Sequence, residues 1–154
     1  MNKKQQLLAP CDGEIIPLEG VSDEVFSSGM MGEGFAVIPI DKGFYSPISG
    51  RIENAYRTSH AYSIVGEDGL EILVHIGIDT VELDGEFFES KVSVGDYVKA
   101  GELIAYADID KILERGFDPV CIVIVSNSES VHSVEIKVGE CTRGDSAMLY
   151  CLQT

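Results

Sequence analysis

The sequence predicts an all-β domain: an antiparallel β-sandwich or barrel-sandwich hybrid with one or two short helical turns. Short runs in which apolar and polar residues alternate recur along the whole chain. Sixteen glycines and five prolines punctuate these runs with turn signals. Helical spacing is confined to residues 109–115, with a short turn predicted near residues 24–26. Many short strands separated by regular turns are typical of closed or sandwiched β-sheets.

Ten segments carry the strand pattern. They cover residues 13–17, 36–40, 50–54, 56–65, 70–78, 91–94, 103–108, 120–126, 133–138 and 147–152. A weak internal echo links residues 9–15 with residues 46–52, since both contain a proline, a glycine and a later isoleucine. This echo is compatible with a sheet built from duplicated hairpin units.

Length and charge restrict the classes of function. A chain of 154 residues fits one domain, here expected to span residues 1–154, with polar residues 1–6 disordered. The formal net charge of -15 argues against nucleic-acid binding and against adhesion to anionic membranes. No run of about 18 apolar residues is present, so we expect no membrane insertion. Any phosphate chemistry would need local hydrogen-bond donors.

The four cysteines indicate a reducing compartment. Cys11, Cys121, Cys141 and Cys151 show no CxxC spacing, which argues against a zinc site or a redox motif. The first ten residues contain too short an apolar stretch for a signal peptide. We therefore expect free thiols and a cytoplasmic protein.

The most informative stretch is residues 56–81, which contain two histidines. Period-two alternation sends Ile72, Val74 and Ile76 to one face of a strand and His75 to the other. If residues 66–69 form the connecting turn, Val65 pairs with Leu70, the first residue after the turn. That register places His60 directly across from His75, with Cβ atoms about 4.5–5.5 Å apart.

Two facing imidazoles leave three interpretations open. They are a phosphoryl acceptor with a helper, a pair of metal ligands, and a structural pair, because histidine is switchable, nucleophilic and metal-binding. The third histidine, His132, lies in a polar stretch with no evident partner, and we interpret it as a surface residue.

These residues resemble those of the glucose-type enzyme IIA of the bacterial phosphotransferase system. The resemblance runs from Ala9 to Tyr150 and is strongest in EILVHIGIDTVEL (residues 71–83) and TSHAYSI (residues 58–64). It implies a β-sandwich with a shallow apolar depression. It also implies that His75 carries phosphate on Nε2, that His60 assists transfer, and that Thr58 orients His60.

The resemblance further implies a partner-binding surface around the histidines. Its apolar members would be Val25, Phe26, Tyr56, Leu73 and Val81, rimmed by Asp23 and Asp79. Phenylalanine is frequent in the family at the positions of Tyr56 and Leu73, and both replacements keep the depression apolar. Asp79 would pair with a cation on the partner, although a strand end explains it too. Val25 and Phe26 also fit ordinary core positions.

The implied function is that of a phosphocarrier in sugar uptake. By resemblance, the chain would accept a phosphoryl group from the small carrier HPr and pass it to a cysteine of a IIB domain. In chemical terms, His75 supplies a neutral nucleophile and His60 a donor to the transferring oxygens. Gly77 is expected to leave the strand face open to a partner. We expect a monomer that requires no cofactor.

Three alternatives remain open from the sequence. His75-x-x-x-Asp79 resembles half of the ligand pattern of zinc peptidases of related β architecture, yet the chain has three histidines and no HxH pair. Incidental zinc binding by His60 and His75 is compatible with this pattern. A swinging-arm carrier is the second alternative, because residues 94–101 resemble the turn of such domains, although Lys42 is only a loose match to the attachment lysine. The third alternative is a mainly regulatory binding protein. The sequence does not identify the sugar that would be taken up.

Overall fold

The computed structural model describes residues 4–153. The strands are β1 Lys4–Leu8, β2 Gly13–Pro17, β3 Glu33–Pro39, β4 Gly43–Tyr45, β5 Gly50–Ala55, β6 Ala61–Gly66, β7 Glu71–Ile76, β8 Phe88–Ser90, β9 Tyr97–Val98, β10 Leu103–Ala107, β11 Cys121–Val125, β12 Val131–Ile136, β13 Gly139–Cys141 and β14 Ser146–Leu152. The α-helices are α1 Glu24–Ser27 and α2 Ile109–Glu114, and 3-10 turns cover Leu18–Gly20, Thr80–Leu83 and Ser128–Ser130. The predicted all-β class is confirmed, and so are both short helical segments.

The strands form three antiparallel sheets. The largest has eight strands in the order β13-β2-β3-β11-β7-β6-β5-β9. Two three-stranded sheets have the orders β1-β14-β12 and β4-β10-β8. Strand β7 lies inside the large sheet between β11 and β6, so its backbone is hydrogen-bonded on both sides. The β-rich segment that carries His75 is therefore rigidly placed.

Apolar side chains pack on both faces of the large sheet. The main core joins all three sheets and includes Ile72, Val74 and Ile76, each at most 1% exposed. A smaller cluster covers the opposite face and includes Phe26 of α1 and Ile122 of β11. Burial on two faces explains the continuous apolar run CIVIV of β11.

The N-terminal prediction is wrong for residues 4–6. They belong to β1, which pairs with β14, and the strand is anchored because Leu7 is fully buried in the main core. The polar side chains of residues 4–6 do not predict this strand. Backbone pairing and one buried apolar side chain are enough to order an edge strand. Residues 1–3 of the same prediction lie outside the described residues.

Short strands account for several other differences. Sequence patterning missed β4, β9 and β13, which have two or three residues and too few alternations to recognise. The strand predicted at residues 91–94 lies instead at Phe88–Ser90. The chain turns at Ser93, whose carbonyl accepts from the Asp96 amide at 3.0 Å and whose amide donates to the Asp96 carboxylate at 2.8 Å.

All four cysteines are free thiols, as predicted. Contact with Cys121 and burial raise the pKa of the Cys11 thiol well above its ordinary value. A thiol held protonated is a poor nucleophile, so Cys11 is structural. Within residues 4–153, no helix is long and apolar enough to cross a membrane.

Candidate functional site

His75 lies on the face of β7 that the alternation predicted. Its strand partners are Ala61 of β6 and Ile122 of β11. The neighbouring Val74 and Ile76 point to the main core, so the imidazole emerges beside the smaller apolar cluster. The fold therefore presents His75 on the outer face of the large sheet.

The two histidines meet, but the predicted register is wrong by one residue. Val65 pairs with Glu71, so Ala61 and not His60 lies across from His75. The rings of His60 and His75 are nevertheless 5.0 Å apart between centroids, at 85°. Strand β6 begins only at Ala61, and the preceding Ser59 has a left-handed φ of 58°. This turn redirects the His60 side chain to the face of His75.

Three hydrogen bonds fix His60 and its turn. The Tyr62 hydroxyl, on a fully buried side chain, donates to the Ser59 carbonyl at 3.0 Å. The Ile76 amide donates to the His60 carbonyl at 2.7 Å. On the ring, Nδ1 lies 2.6 Å from the Thr58 hydroxyl, within hydrogen-bond distance. The ring thus has one defined orientation, with Nε2 left for a ligand.

Aromatic neighbours keep the His60 ring away from water. Its exposed fraction is 2%, and the rings of Tyr56 and Phe88 lie 5.6 Å and 6.5 Å away in edge-on geometry. Burial first, and then repulsion from a charged His75, lower the pKa of His60 to about 4. His60 is therefore a neutral imidazole near pH 7.

His75 is also favoured in its neutral form. Burial lowers its pKa, and the charges of Asp23 and Asp79 only partly oppose this effect. Its Nδ1 is buried and makes no full hydrogen bond with residues 4–153, although the Gly77 backbone lies near enough to favour the protonated ring. The Phe26 ring lies 5.2 Å away. A neutral imidazole with its Nδ1 side buried presents Nε2 as the nucleophilic atom.

The neutral histidines predict a loss of stability in mild acid. The native pKa of His60 is about 4 and its ordinary value 6.5, so the unfolded chain binds more protons between these pH values. Stability therefore falls as pH falls through this window, and His75 contributes in the same direction. Urea unfolding should show that the free energy of unfolding falls less between pH 7 and pH 4.5 for His60→Gln than for the wild type. Equal losses would contradict the neutral assignment.

Two residues of the predicted apolar surface lie against the histidine rings, Phe26 against His75 and Tyr56 against His60. Val25, Tyr56 and Val81 are 49%, 46% and 52% exposed. Phe26 is buried and Leu73 half-buried, and both pack in the smaller cluster. The arrangement offers exposed apolar area next to a buried base, as a docking surface requires.

The two predicted rim carboxylates have structural contacts as well. Asp23 caps α1, its carboxylate accepting from the Val25 amide at 2.8 Å. Asp79 is exposed and left-handed, with φ of 60°, at the start of the turn Thr80–Leu83. Both charges raise the pKa of His75 against the effect of burial, so both act on the site electrostatically.

The expectation that Gly77 leaves the strand face open is wrong. Gly77 is buried and has a left-handed φ of 84°, and a Cβ placed on it would lie 2.3 Å from Thr80 Cγ2. The Thr80 hydroxyl in turn donates to the Ile76 carbonyl at 2.5 Å. Glycine is needed here so that the chain can turn and close against the end of β7, directly after His75.

We expect Gly77→Ala to destabilise the fold by about 1–3 kcal/mol more than Gly69→Ala, because only Gly77 meets a steric clash. Gly69 is the matched control, since its φ is 86° and a Cβ there meets nothing within 4 Å. Urea denaturation of both variants measures the difference. Equal losses of stability in the two variants would show that the left-handed backbone conformation, and not the clash with Thr80, explains the need for glycine at position 77.

Sequence reasoning missed three residues of the site: Ser59, Tyr62 and Phe88. A left-handed serine has no sequence marker, and Tyr62 looks like any core residue of a strand. Phe88 gave a weak signal, because it belongs to the aromatic pair in GEFFES (residues 85–90) but follows no strand pattern.

The remaining candidates lie outside the site. His132 is on β12, in another sheet, and its Nδ1 lies 3.0 Å from the Ser133 hydroxyl, so the prediction of no evident partner is wrong. Lys42 lies in the turn between β3 and β4, with its Nζ 3.6 Å from the Asp108 carboxylate. Across residues 4–153, no group of three or more His, Cys, Asp or Glu side chains could hold a metal. The zinc peptidase alternative therefore has no support.

Comparison with known proteins decides the family. Residues 5–131 match the family described as phosphoenolpyruvate-dependent sugar phosphotransferase system, EIIA 1. The chain belongs to this family. The PTS system glucose-specific EIIA component of Oceanobacillus iheyensis is 43% identical over 96% of this chain and 90% of its own length. The glucose permease IIA structure from Mycoplasma capricolum matches with a TM-score of 0.88 and 40% identity, over 96% of both chains.

Family membership confirms the resemblance and the β-sandwich fold, and it supports a phosphocarrier role in sugar uptake. A further relative has the same unit within a longer protein. The PTS system glucose-specific EIICBA component of Streptococcus pneumoniae is 41% identical over 86% of this chain, which spans 18% of that relative. The region that matches this chain is thus one part of that longer protein.

Proposed function

We propose that this EIIA protein carries phosphate on His75, accepting it from HPr and passing it to the cysteine of a IIB domain. The observation that carries the proposal is the pair of neutral imidazoles 5.0 Å apart on the outer face of the large sheet. Phosphoryl transfer requires mainly positioning and charge stabilisation, and this pair supplies both.

In the uptake step, the lone pair on His75 Nε2 attacks the phosphorus of the donor's phosphohistidine. A new N–P bond forms as the N–P bond of the donor breaks, and the bonding electrons return to the donor's imidazole. His75 stays protonated on Nδ1, the nitrogen that faces the Gly77 backbone. A proton on Nδ1 leaves the Nε2 lone pair free, so no prior deprotonation is needed.

His60 stabilises the charge on the transferring oxygens. If the Thr58 hydroxyl donates to Nδ1 of His60, the ring proton resides on Nε2 and points away from Thr58. An N–H held in a site shielded from water is worth more than the same donor in water. Thr58 therefore selects the tautomer, and His60 supplies the donor.

In the release step, a cysteine thiolate of the IIB domain attacks the phosphorus. A P–S bond forms, the His75 N–P bond breaks, and the electron pair returns to Nε2. Residues Val25, Phe26, Tyr56, Leu73 and Val81 form the surface that partners cover, which excludes the water that would hydrolyse the phosphohistidine. Asp23 and Asp79 pair with cations on the partners, and the net charge of -15 steers basic partners to the protein.

The chain acts as one domain over residues 1–154, as a monomer in the cytoplasm, and needs no cofactor for transfer. Support comes from the joint core of the three sheets and from a reaction that uses only side chains of the chain and of its partners. Sedimentation measures the oligomeric state, and a stable dimer would contradict this part of the proposal.

Incubation with labelled phosphoenolpyruvate, enzyme I and HPr tests the function. The protein should acquire one acid-labile, alkali-stable phosphate only when both other proteins are present, and it should lose the label when a IIB domain is added. A protein that stays unlabelled under these conditions would refute the proposal.

Zinc is expected to bind the His60–His75 pair only weakly and to slow phosphate uptake, because two imidazoles leave the ion short of protein ligands. Calorimetric titration of wild type and of His60→Ala measures this. The weak site should disappear in the variant, and an unchanged affinity for zinc would place the binding elsewhere.

A further inference from the structure

Backbone strain is concentrated around the two histidines. Among residues 4–153, the non-glycine residues with positive φ are Ser59, Asp79, Asp84, Phe87 and Ser133. All except Ser133 lie just before His60 or in the segment that follows His75. A bulky residue with a positive φ is a genuine outlier, and such backbone strain persists only where the surrounding contacts enforce it. Phe87, with φ of 78°, is the bulkiest of the five.

Phe87 is held by contacts on its side chain and its backbone. The Arg115 guanidinium lies 5.4 Å from the centre of its ring, and Arg115 also pairs with Glu86 at 2.5 Å. The Asp108 amide donates to the Phe87 carbonyl at 2.9 Å. The two residues that flank helix α2, Asp108 before it and Arg115 after it, therefore hold the strained residue in place.

The consequence of this conformation is the position of Phe88. Directly after the strained residue the chain enters β8, where Phe88 pairs with Ala107 of β10. The Phe88 ring then packs half-buried against the main core and meets the His60 ring edge-on at 6.5 Å.

The same segment supports the rest of the His60 turn. A Cβ placed on Gly85 would lie 3.8 Å from Thr58 Cα, so the two backbones pack closely. The Asp84 carboxylate pairs with Arg57 at 3.3 Å. Residues 84–88 thus form a brace along the turn that carries Thr58 and His60.

We propose that Phe88 is a positioning residue for phosphoryl release: the brace holds its ring against His60, which keeps the His60 donor aimed at the phosphate on His75. The proposal rests on the proposed function of His75 and His60. Phe88 touches no reacting atom and acts only through His60. Since misplacing a donor weakens its interaction with the transition state, losing this contact should slow release more than uptake.

The test compares Phe88→Leu with the ring-preserving Phe88→Tyr and with Phe117→Leu. Phe117 is the matched control, because it is also half-buried against the main core but makes no ring contact with His60. Single-turnover rates of uptake from phospho-HPr and of release to a IIB domain are measured, together with the His60 titration by NMR.

For Phe88→Leu we expect release slowed about tenfold, uptake within about twofold, and the His60 pKa raised from about 4 towards 6.5 as water reaches the ring. Phe88→Tyr and Phe117→Leu should match the wild type on all three readouts. If Phe88→Leu does not fold, Phe88→Met gives the same comparison. If Phe88→Leu and Phe117→Leu behave alike, the proposal is overturned. The NMR titration does not depend on phosphate transfer. If the proposed function fails, no transfer is seen with any variant, whereas failure of the role of Phe88 leaves the His60 titration of Phe88→Leu unchanged.

Discussion

His75→Ala should abolish phosphate uptake, because it removes the only atom proposed to attack the phosphorus. The fold should survive, since the His75 side chain lies on the outer face of the large sheet and is absent from the main core. Incubation with phosphoenolpyruvate, enzyme I and HPr, followed by counting of acid-labile phosphate, measures the effect. We expect no incorporation above the level seen without HPr.

The control for this experiment is His132→Ala. His132 lies on β12 in another sheet, so its removal should leave uptake at the wild-type rate. Acid-labile phosphate on His75→Ala would show that another residue is the acceptor.

His60→Ala should still accept phosphate but release it slowly. Uptake needs mainly the His75 nitrogen and a path of approach, whereas release needs charge stabilisation as the phosphoryl group leaves for a thiolate. Removing one positioned donor lowers a rate by about 10²–10³. Single-turnover transfer from the phosphorylated variant to a IIB domain should show a loss of this size.

Thr58→Val gives an intermediate case that separates orientation from donation. The variant keeps His60 but removes the hydroxyl 2.6 Å from its Nδ1, so release should be slowed less than in His60→Ala.

If His75→Ala and His60→Ala fail identically at uptake, the division of roles between the two histidines is wrong.

Much of the fold follows from local pattern. Alternation in residues 71–76 correctly placed His75 on the opposite face of β7 from Val74 and Ile76. One face of β7 is fully buried, and successive side chains of a strand point to opposite faces. Turn signals located most long strands within a few residues. Strands of two or three residues were missed, since their existence depends on partners distant in sequence and not on their own composition.

The site was predicted for a partly wrong reason. The histidines were expected to meet by strand register, yet the register is shifted and the left-handed turn at Ser59 brings them together. No residue-level pattern predicts a serine in that conformation. The roles of Thr58 and of the apolar rim came from family resemblance, while Tyr62 and Phe88 became visible only through contacts in three dimensions.

In the proposed mechanism, Nε2 of His75 carries the phosphate. The most direct measurement is phosphorus and nitrogen NMR of the wild-type protein after phosphorylation through enzyme I and HPr, combined with mass mapping of the labelled peptide. We expect one phosphate, on Nε2, in the peptide containing His75. A phosphate on His60, on His132, on a cysteine, or on Nδ1 of His75 would contradict it.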